Sequence, residues 1–85
     1  LICQDKENAI ETRMQNREDH LKYVAETNVV KYAGPFLSDE DTMIGSLIVI
    51  DVENKDEAKK WSENDPYKKA GLFGKVEIFK FKHLI

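Results

Sequence analysis

The sequence has only one cysteine and no long run of apolar residues. A single cysteine, Cys3, cannot form a disulfide within the chain, which argues against a disulfide-stabilised secreted domain and favours a cytoplasmic location. The longest apolar run, Leu47 to Ile50, is far shorter than the ~20 residues that a membrane helix needs. Charged residues follow Cys3 closely, so no signal peptide is expected. Leu1 is not a natural start, and we expect more of the first strand upstream.

The sequence also has no excess of basic over acidic residues. Thirteen Lys and Arg residues against sixteen Asp and Glu residues give a net charge of −3, which disfavours nucleic acids as partners. The chain also lacks glycine-rich phosphate loops, Cys-x-x-Cys pairs and the His-Glu-x-x-His pattern. Its two histidines and one cysteine lie far apart, and the acidic loop at 39–41 lacks EF-hand spacing. Neither a metal nor another cofactor is therefore expected.

What is present is the composition of one small folded domain. The 85 residues are 41% apolar and 34% charged, which predicts a single domain over 1–85. The predicted elements are a first strand, a helix over 8–28 that is either continuous or broken at Asn16, strands over 29–35 and 46–52, a helix capped by Asn54, a helical turn from Asp65-Pro66 to Gly71, and a strand over 75–81. This order predicts an α+β fold, the ferredoxin-like βαββαβ sandwich.

The strand over 46–52 is apolar on both faces. Ile48 and Ile50 point to one side of the sheet, and Leu47 and Val49 point to the other. Two helices on one side cannot cover both faces, so a second copy of the chain is the simplest partner for the open one. We therefore expect a homodimer that packs sheet against sheet.

Polar side chains interrupt the apolar side of the first helix. The expected apolar stripe is formed by Ile10, Met14, Leu21 and Val24. At about 100° per residue, Arg17 falls inside this stripe and His20 borders it, whereas the placement of Arg13 is undetermined if the helix is broken. A guanidinium inside the stripe needs a partner, because burying an unpaired charge is costly. Arg17 is therefore a structural ion-pair residue, a residue that extends past the end of the stripe, or an anion-binding group at a pocket.

Other residues keep two interpretations each. Asp65, which precedes a proline, suits a helix N-cap, but its carboxylate can also orient a histidine. Ser46 is either a hydroxyl at a strand end or a hydrogen-bond donor in a pocket. His20 is either a boundary histidine bonded to backbone or a functional group. Cys3 is expected to be a small buried apolar residue, and His83 to be incidental.

Several short motifs follow one another in a distinctive order. They are Arg17-x-x-His20-Leu21, Ala33-Gly34-Pro35, Gly45-Ser46 at the start of a strand, Trp61, Asp65-Pro66-Tyr67, Ala70-Gly71 and a last strand that ends in phenylalanine. Each motif alone is unspecific, but in this order and at these separations the chain resembles the YciI-like (YCII-domain) family from Cys3 to Phe81. The resemblance implies a ferredoxin-like fold that dimerises as dimeric α/β barrels do.

The resemblance also implies a site. The presumed active site of the family is a histidine–aspartate pair in a cleft, and the matching residues here are His20 and Asp65. The positions that resemble the rest of the cleft are Arg17, Gly34, Pro35 and Ser46. Glu18 departs from the family, because many relatives have a proline there. A lyase-type removal of chloride from a chlorinated aromatic compound has been attributed within the family.

Three functional hypotheses follow. The first is a small-molecule enzyme, of the lyase, isomerase or hydrolase type, in which His20 and Asp65 form a general acid–base pair that acts on an anionic substrate. Arg17 and Ser46 would then bind an oxygen of that substrate. The alternative is a non-catalytic metabolite-binding or accessory dimeric domain that uses the same cleft. A third, by analogy with other dimeric α/β barrels, is haem binding through His20.

Overall fold

Four antiparallel strands form one sheet, and the helices cover one of its faces. The computed structural model describes residues 1–85. Its elements are β1 (Ile2–Asp5), α1 (Ile10–Gln15), α2 (Arg17–Thr27), β2 (Val30–Leu37), β3 (Met43–Ile50), α3 (Lys55–Glu63), α4 (Pro66–Lys69) and β4 (Phe73–Glu77). The strand order across the sheet is β2-β3-β1-β4, so β1 and β3 are the inner strands. The predicted ferredoxin-like α+β fold is confirmed.

The register of β1 decides which side chains share a face. Cys3 lies opposite Ser46 in β3 and opposite Val76 in β4, while Ile2 lies opposite Leu47. Directly opposite residues point to the same side of the sheet. The buried residue Cys3 faces the helices, and so do its partners Ser46 and Val76. Ile2 and Leu47 face away from the helices. The core is a cluster on the helix side, formed by Cys3, Ile48, Trp61, Tyr67, Leu72 and Phe73.

The open face of the sheet is as apolar as the pattern predicts. Leu47 and Val49 are only half-buried, and Tyr32, opposite Val49 on β2, is exposed. The ring of His83 lies 6.4 Å from the ring of Tyr32, so the chain after β4 runs back towards the far edge of the sheet. Phe79, in that segment, is 59% exposed.

Strand bounds differ from the prediction in three of the strands. β3 runs from Met43 to Ile50 instead of over 46–52, because its first residue, Met43, lies opposite Leu37, the last residue of β2. The predicted turn at Gly34-Pro35 is instead part of β2, which continues to Leu37. Proline is tolerated there because β2 is an edge strand, where a missing N–H removes no bond to an outer neighbour. The last strand begins at Phe73 and ends at Glu77, because Glu77 lies opposite Ile2, the first residue of its only partner strand.

The first helical segment is broken at Asn16, which confirms one of the two predicted alternatives. The reason differs from the prediction, because the Asn16 side chain does not cap α2. Its amide nitrogen instead donates a hydrogen bond to the Thr12 carbonyl, 2.9 Å away, at the end of α1. Helical phase is therefore not continuous across residues 10–27, and each helix has its own buried side.

Because the helix is broken at Asn16, the apolar stripe predicted for one continuous helix is wrong. Arg17 is exposed, and Arg13 is the buried arginine, with 3% of its surface exposed. Met14 is 53% and Leu21 45% exposed, and Ile10 is exposed too, so of the four predicted stripe residues only Val24 packs against the core. The inward side of α2 carries His20 and, partly buried, Tyr23, Val24 and Thr27.

Side-chain hydrogen bonds connect α2 to α3 and cap the start of α3, and a glycine follows the end of α4. Tyr23 donates to the Trp61 carbonyl at 2.7 Å, and the Trp61 indole donates to Thr27 Oγ1 at 2.9 Å. The predicted cap at Asn54 is confirmed, because its side chain accepts from the amide of Glu57. Gly71, with a left-handed φ of 75°, follows Ala70, the C-cap residue of α4, as predicted.

Candidate active site

His20 and Asp65 are in direct contact although 45 positions separate them. His20 Nδ1 lies 2.7 Å from Asp65 Oδ1, and both side chains are buried. α2 supplies the histidine, and the residue that caps α4 supplies the carboxylate. An ionised carboxylate only accepts hydrogen bonds, so Nδ1 carries the proton in this pair. The neutral ring then has its lone pair on Nε2.

The second ring nitrogen of His20 remains available. Nε2 makes no hydrogen bond within the chain. Every polar side-chain atom that is cut off from solvent has a hydrogen-bond partner, so Nε2 retains access to solvent. A histidine held by a carboxylate at one nitrogen and open at the other is suited to accept and return a proton.

Tyr67 joins this pair to a second polar group. Its ring stacks on the His20 imidazole, with centroids 4.0 Å apart and planes 11° from parallel. The guanidinium carbon of Arg13 lies 4.9 Å from the same ring. Burial raises the pKa of the Tyr67 hydroxyl, although the positive charges of Arg13 and Arg17 oppose the rise. The hydroxyl therefore stays protonated near neutral pH.

The second polar group is formed by Arg13, Asp5 and Ser46. Arg13 Nε and Nη2 donate to the two carboxylate oxygens of Asp5, at 2.7 and 2.8 Å, and Nη2 also donates to Ser46 Oγ at 2.9 Å. Burial opposes the charge of Arg13, but the hydrogen bonds and charge of Asp5 outweigh it and raise the pKa of the guanidinium. The buried cation is thus paired and hydrogen-bonded.

The other predicted site residues lie around this cluster. Pro35 is directly opposite Ser46 in the β2–β3 ladder, and Gly34 is opposite Leu47, so the two residues point to different faces of the sheet. Arg17 is exposed and makes no side-chain hydrogen bond or ion pair, and its positive charge opposes the rise in the pKa of the Tyr67 hydroxyl. The structure thus brings His20, Asp65 and Ser46 into one chain of contacts and leaves Gly34 outside it.

Sequence reasoning missed Arg13, Asp5 and Tyr67 as members of the cluster. The signal for Asp5 was available, because it has the same parity as Cys3 along β1 and so points towards the helices. An acidic residue on the inward face requires a cation nearby. Arg13 could not be chosen over Arg17 without knowing how α1 and α2 are oriented relative to each other.

No polar cluster in the chain, the His20 cluster included, has the ligands of a metal site. Of its His, Cys, Asp and Glu side chains, no three lie close enough to hold a metal ion. Cys3 lies beneath the cluster, and burial raises the pKa of its thiol to about 12. The longest helix has eleven residues, too few to cross a bilayer.

A cavity of the fold lies away from this cluster. It has a volume of about 680 Å³ and is bounded by Tyr32, Leu47 and Val49 on the open face and by Phe79 and Phe81 after β4. None of the residues of the His20 cluster lines it. Ile48 and Ala58 also line the cavity, so it extends from the open face past the sheet towards α3.

Comparison with known proteins agrees with the fold and with the motifs. The model of the YCII-related domain matches residues 1–82. An uncharacterised protein of Haemophilus influenzae is 34% identical over 96% of this chain and 93% of its own length. Protein YciI of Escherichia coli O6:H1 is 26% identical over the same shares.

A solved structure is also similar. It is 5-chloro-2-hydroxyhydroquinone dehydrochlorinase (TftG) from Burkholderia phenoliruptrix AC1100, in complex with 2,5-dihydroxybenzoquinone. The TM-score is 0.86 and the sequence identity 31%, and the match covers 96% of this chain and 90% of the other. A match over 96% of the chain at this TM-score supports the same overall fold.

Proposed function

Because the chain belongs to the YCII-related family, we propose that it is a small-molecule enzyme in which His20 and Asp65 transfer a proton to or from an anionic substrate. The observation that carries the proposal is the 2.7 Å contact between His20 Nδ1 and Asp65 Oδ1, which leaves Nε2 open. The solved relative that acts on a small aromatic molecule supports the enzyme class. The reaction types that fit are lyase, isomerase and hydrolase chemistry.

In this proposal the buried dyad works as a general acid–base pair. Asp65 fixes the Nδ1–H tautomer and stabilises the imidazolium that forms when Nε2 takes a proton. Stacking on Tyr67 holds the ring plane, because the two rings lie nearly parallel. Proton transfer by a positioned histidine typically contributes ~10²–10⁴-fold in rate.

The proposed substrate contacts are Arg17, Ser46, Gly34 and Pro35. The exposed cation of Arg17 would attract an anion before it binds, and Ser46 would donate a hydrogen bond to one of its oxygens. Pro35 lies opposite Ser46 and would form an apolar wall beside it. Gly34, at the exposed sheet edge, offers its backbone only, because it has no side chain.

The test is turnover of 5-chloro-2-hydroxyhydroquinone, followed by release of chloride, in the wild type and in matched variants. We expect His20→Gln to lower kcat by about 10²-fold or more, and Asp65→Asn to lower it to a smaller extent. His83→Gln, at the exposed histidine, is the control and should leave turnover unchanged. Turnover that survives both site substitutions would refute the proposal.

A metabolite-binding or accessory domain without catalysis remains the alternative in this experiment. Its result would be a ligand that binds the wild type and is recovered unchanged after prolonged incubation. Binding of 2,5-dihydroxybenzoquinone without turnover of any chlorinated relative would favour that alternative. The same cleft would then serve recognition alone.

We further propose that a second copy of this chain covers the open sheet face. The apolar side chains of Leu47, Val49 and Tyr32 remain partly or largely uncovered there, beside the exposed Phe79. An apolar surface of this kind on a small domain marks an interface, and a two-fold pair of sheets covers both copies at once. We also propose a cytoplasmic location, because Cys3 is a free, buried thiol and forms no disulfide.

A further inference from the structure

The Ser46 hydroxyl has a directional property that its partners impose. Its oxygen accepts a hydrogen bond from Arg13 Nη2 at 2.9 Å. A guanidinium has only donors, so Arg13 cannot accept a hydrogen bond in return. The hydroxyl hydrogen of Ser46 therefore points away from Arg13, and no acceptor within the chain bonds to it.

Asp5 fixes the orientation of Arg13. The two oxygens of Asp5 bind Nε and Nη2 in a planar, bidentate arrangement, and the side chains of both residues are only 4% exposed. A bidentate pair of this kind holds the guanidinium plane more firmly than a single contact does. The second hydrogen of Arg13 Nη2 is then directed at Ser46 Oγ. The position of Ser46 is fixed by the pairing of β1 with β3, in which Ser46 lies opposite Cys3.

We infer that Asp5 and Arg13 are positioning residues that hold the Ser46 hydroxyl as a dedicated hydrogen-bond donor to an anionic oxygen of the ligand. The inference rests on the proposed function for the anionic character of that ligand. The recognised group is a carboxylate, an enolate or a phenolate oxygen. The adjacent guanidinium polarises the hydroxyl, which strengthens its bond to a negatively charged acceptor.

In this inference the buried Asp5–Arg13 ion pair serves to orient the Ser46 hydroxyl. Asp5 neutralises the charge of Arg13, so the pair attracts an anion weakly at long range. At short range, Ser46 offers one oriented hydrogen, which selects for an acceptor at one place. Contacts through Tyr67 connect this donor to His20, so a ligand oxygen on Ser46 lies in the same cluster as the proton-transferring nitrogen.

The experiment is a double-mutant cycle on ligand affinity, with 2,5-dihydroxybenzoquinone and sodium formate as probes. Ser46→Ala should weaken binding of either probe by about tenfold or more, which is the loss typical of a hydrogen bond to a charged group. Arg13→Lys keeps the charge but loses the bidentate geometry, and it should weaken binding comparably. In the Ser46→Ala background, Arg13→Lys should add nothing, because Arg13 acts through the serine.

Two control variants distinguish the proposed hydrogen bond of Ser46 from the loss of any buried hydroxyl and from long-range attraction by an exposed cation. Ser62→Ala removes an equally buried hydroxyl on α3 and should leave affinity unchanged. Arg17→Gln removes the exposed cation, so its effect should disappear at high salt, whereas the effect of Ser46→Ala should persist. If Arg13→Lys does not fold, Asp5→Asn takes its place in the cycle.

Each outcome decides the inference. An unchanged affinity in Ser46→Ala, or an Arg13→Lys effect that persists without Ser46, would overturn it and leave the proposed function standing. Binding of formate with a shifted Ser46 amide signal in NMR spectra, but no binding of 2,5-dihydroxybenzoquinone, would support the inference and count against an aromatic substrate. Binding of neither probe at millimolar concentration would overturn both.

Discussion

A single atom of Asp65 serves both His20 and the helix that follows it. Oδ1 lies 2.7 Å from His20 Nδ1 and accepts a hydrogen bond from the Tyr67 amide at 3.0 Å. The two interpretations of Asp65 as a helix cap and as the partner of a histidine are therefore both realised. Since the same oxygen starts α4 and orients the imidazole, the backbone of α4 and the ring of His20 are fixed relative to each other.

The two roles can be separated by choosing the substitution at Asp65. Asn is as good an N-cap as Asp, so Asp65→Asn should retain α4 but lose the charge that holds the Nδ1–H tautomer. Asp65→Ala should lose both, with about 1 kcal/mol of the destabilisation due to the cap alone. Urea unfolding measures the stability, and ¹⁵N NMR of the His20 ring measures which nitrogen carries the proton.

Wild type should show the Nδ1–H form, and Asp65→Asn should show a mixture of tautomers at nearly unchanged stability. The ring of His83, which is exposed, is the internal reference in each spectrum. Equal stability losses in Asp65→Asn and Asp65→Ala would contradict a separable cap. An unchanged His20 tautomer in both variants would show that another group orients the ring.

Signals from neighbouring residues predicted most of the helices and strands. Features that depend on how two elements are oriented relative to each other could not be predicted from the sequence. The cap at Asn54 and the turn ended by Gly71 each depend on a few neighbouring residues, and both were predicted correctly. The choice between Arg13 and Arg17 depends on how α1 meets α2 at Asn16, which no periodicity within either helix contains. Resemblance supplied the His20–Asp65 pair, because the residues between them, 21–64, carry no local signal for it.

The buried Asp5–Arg13 pair predicts that substitution of Asp5 lowers stability far more than substitution of the exposed Arg17. Asp5→Ala leaves the buried Arg13 guanidinium without its partner and should destabilise the protein by about 3–5 kcal/mol. Arg17→Ala removes an exposed side chain without an ion pair and should change stability by about 0.5 kcal/mol or less. Urea unfolding of the two variants measures both effects, and similar losses at the two sites would contradict the observed burial.

Two glycines in facing strands predict opposite responses to alanine. A Cβ atom at Gly45 would lie 2.3 Å from the Cys3 carbonyl oxygen, so Gly45→Ala must push β1 and β3 apart. We expect it to cost about 1–3 kcal/mol, the usual cost of overpacking, and to disturb the adjacent Ser46. A Cβ at Gly34 meets no atom within 4 Å, so Gly34→Ala should not lower the thermal unfolding midpoint.

Ligand-binding measurements on Gly34→Ala then test the proposed role of Gly34. Because the fold accommodates Gly34→Ala, any loss of ligand affinity in that variant comes from the lost access to its backbone. An unchanged affinity would remove Gly34 from the proposed substrate contacts. A stable Gly45→Ala protein, in contrast, would show that the two inner strands can separate without cost.

The buried thiol of Cys3 predicts a loss of stability at alkaline pH. Burial raises the pKa of Cys3 to about 12, from an ordinary value of 9.0. Because the folded-state value is the higher one, the thiol contributes fully below about pH 9, and the contribution is lost as the pH rises towards 12. The free energy of unfolding should therefore fall between pH 9 and 11, by at most about 1.4 kcal/mol per pH unit for this group.

Cys3→Ala isolates that contribution. The variant should lose less stability over the same pH range than the wild type, although burial also raises the pKa of Tyr23 and Tyr67, so some pH dependence remains. Alkylation by iodoacetamide gives a second measurement, because the folded thiol should react slowly at pH 9 and the urea-unfolded thiol rapidly. Equal alkylation rates would mean that Cys3 is accessible in solution.

The uncovered sheet face predicts self-association that a charge at its centre abolishes. Sedimentation of the wild type at micromolar concentration should give twice the chain mass of 9.8 kDa. Leu47→Glu places a carboxylate on the open face beside Ile2, where pairing of two copies would bury it without a partner, so the variant should sediment as a monomer. Leu21→Glu, at a 45% exposed leucine of α2 on the helix layer, is the matched control and should remain dimeric. A wild type that stays monomeric, or a Leu47→Glu variant that still dimerises, would exclude the sheet-to-sheet arrangement.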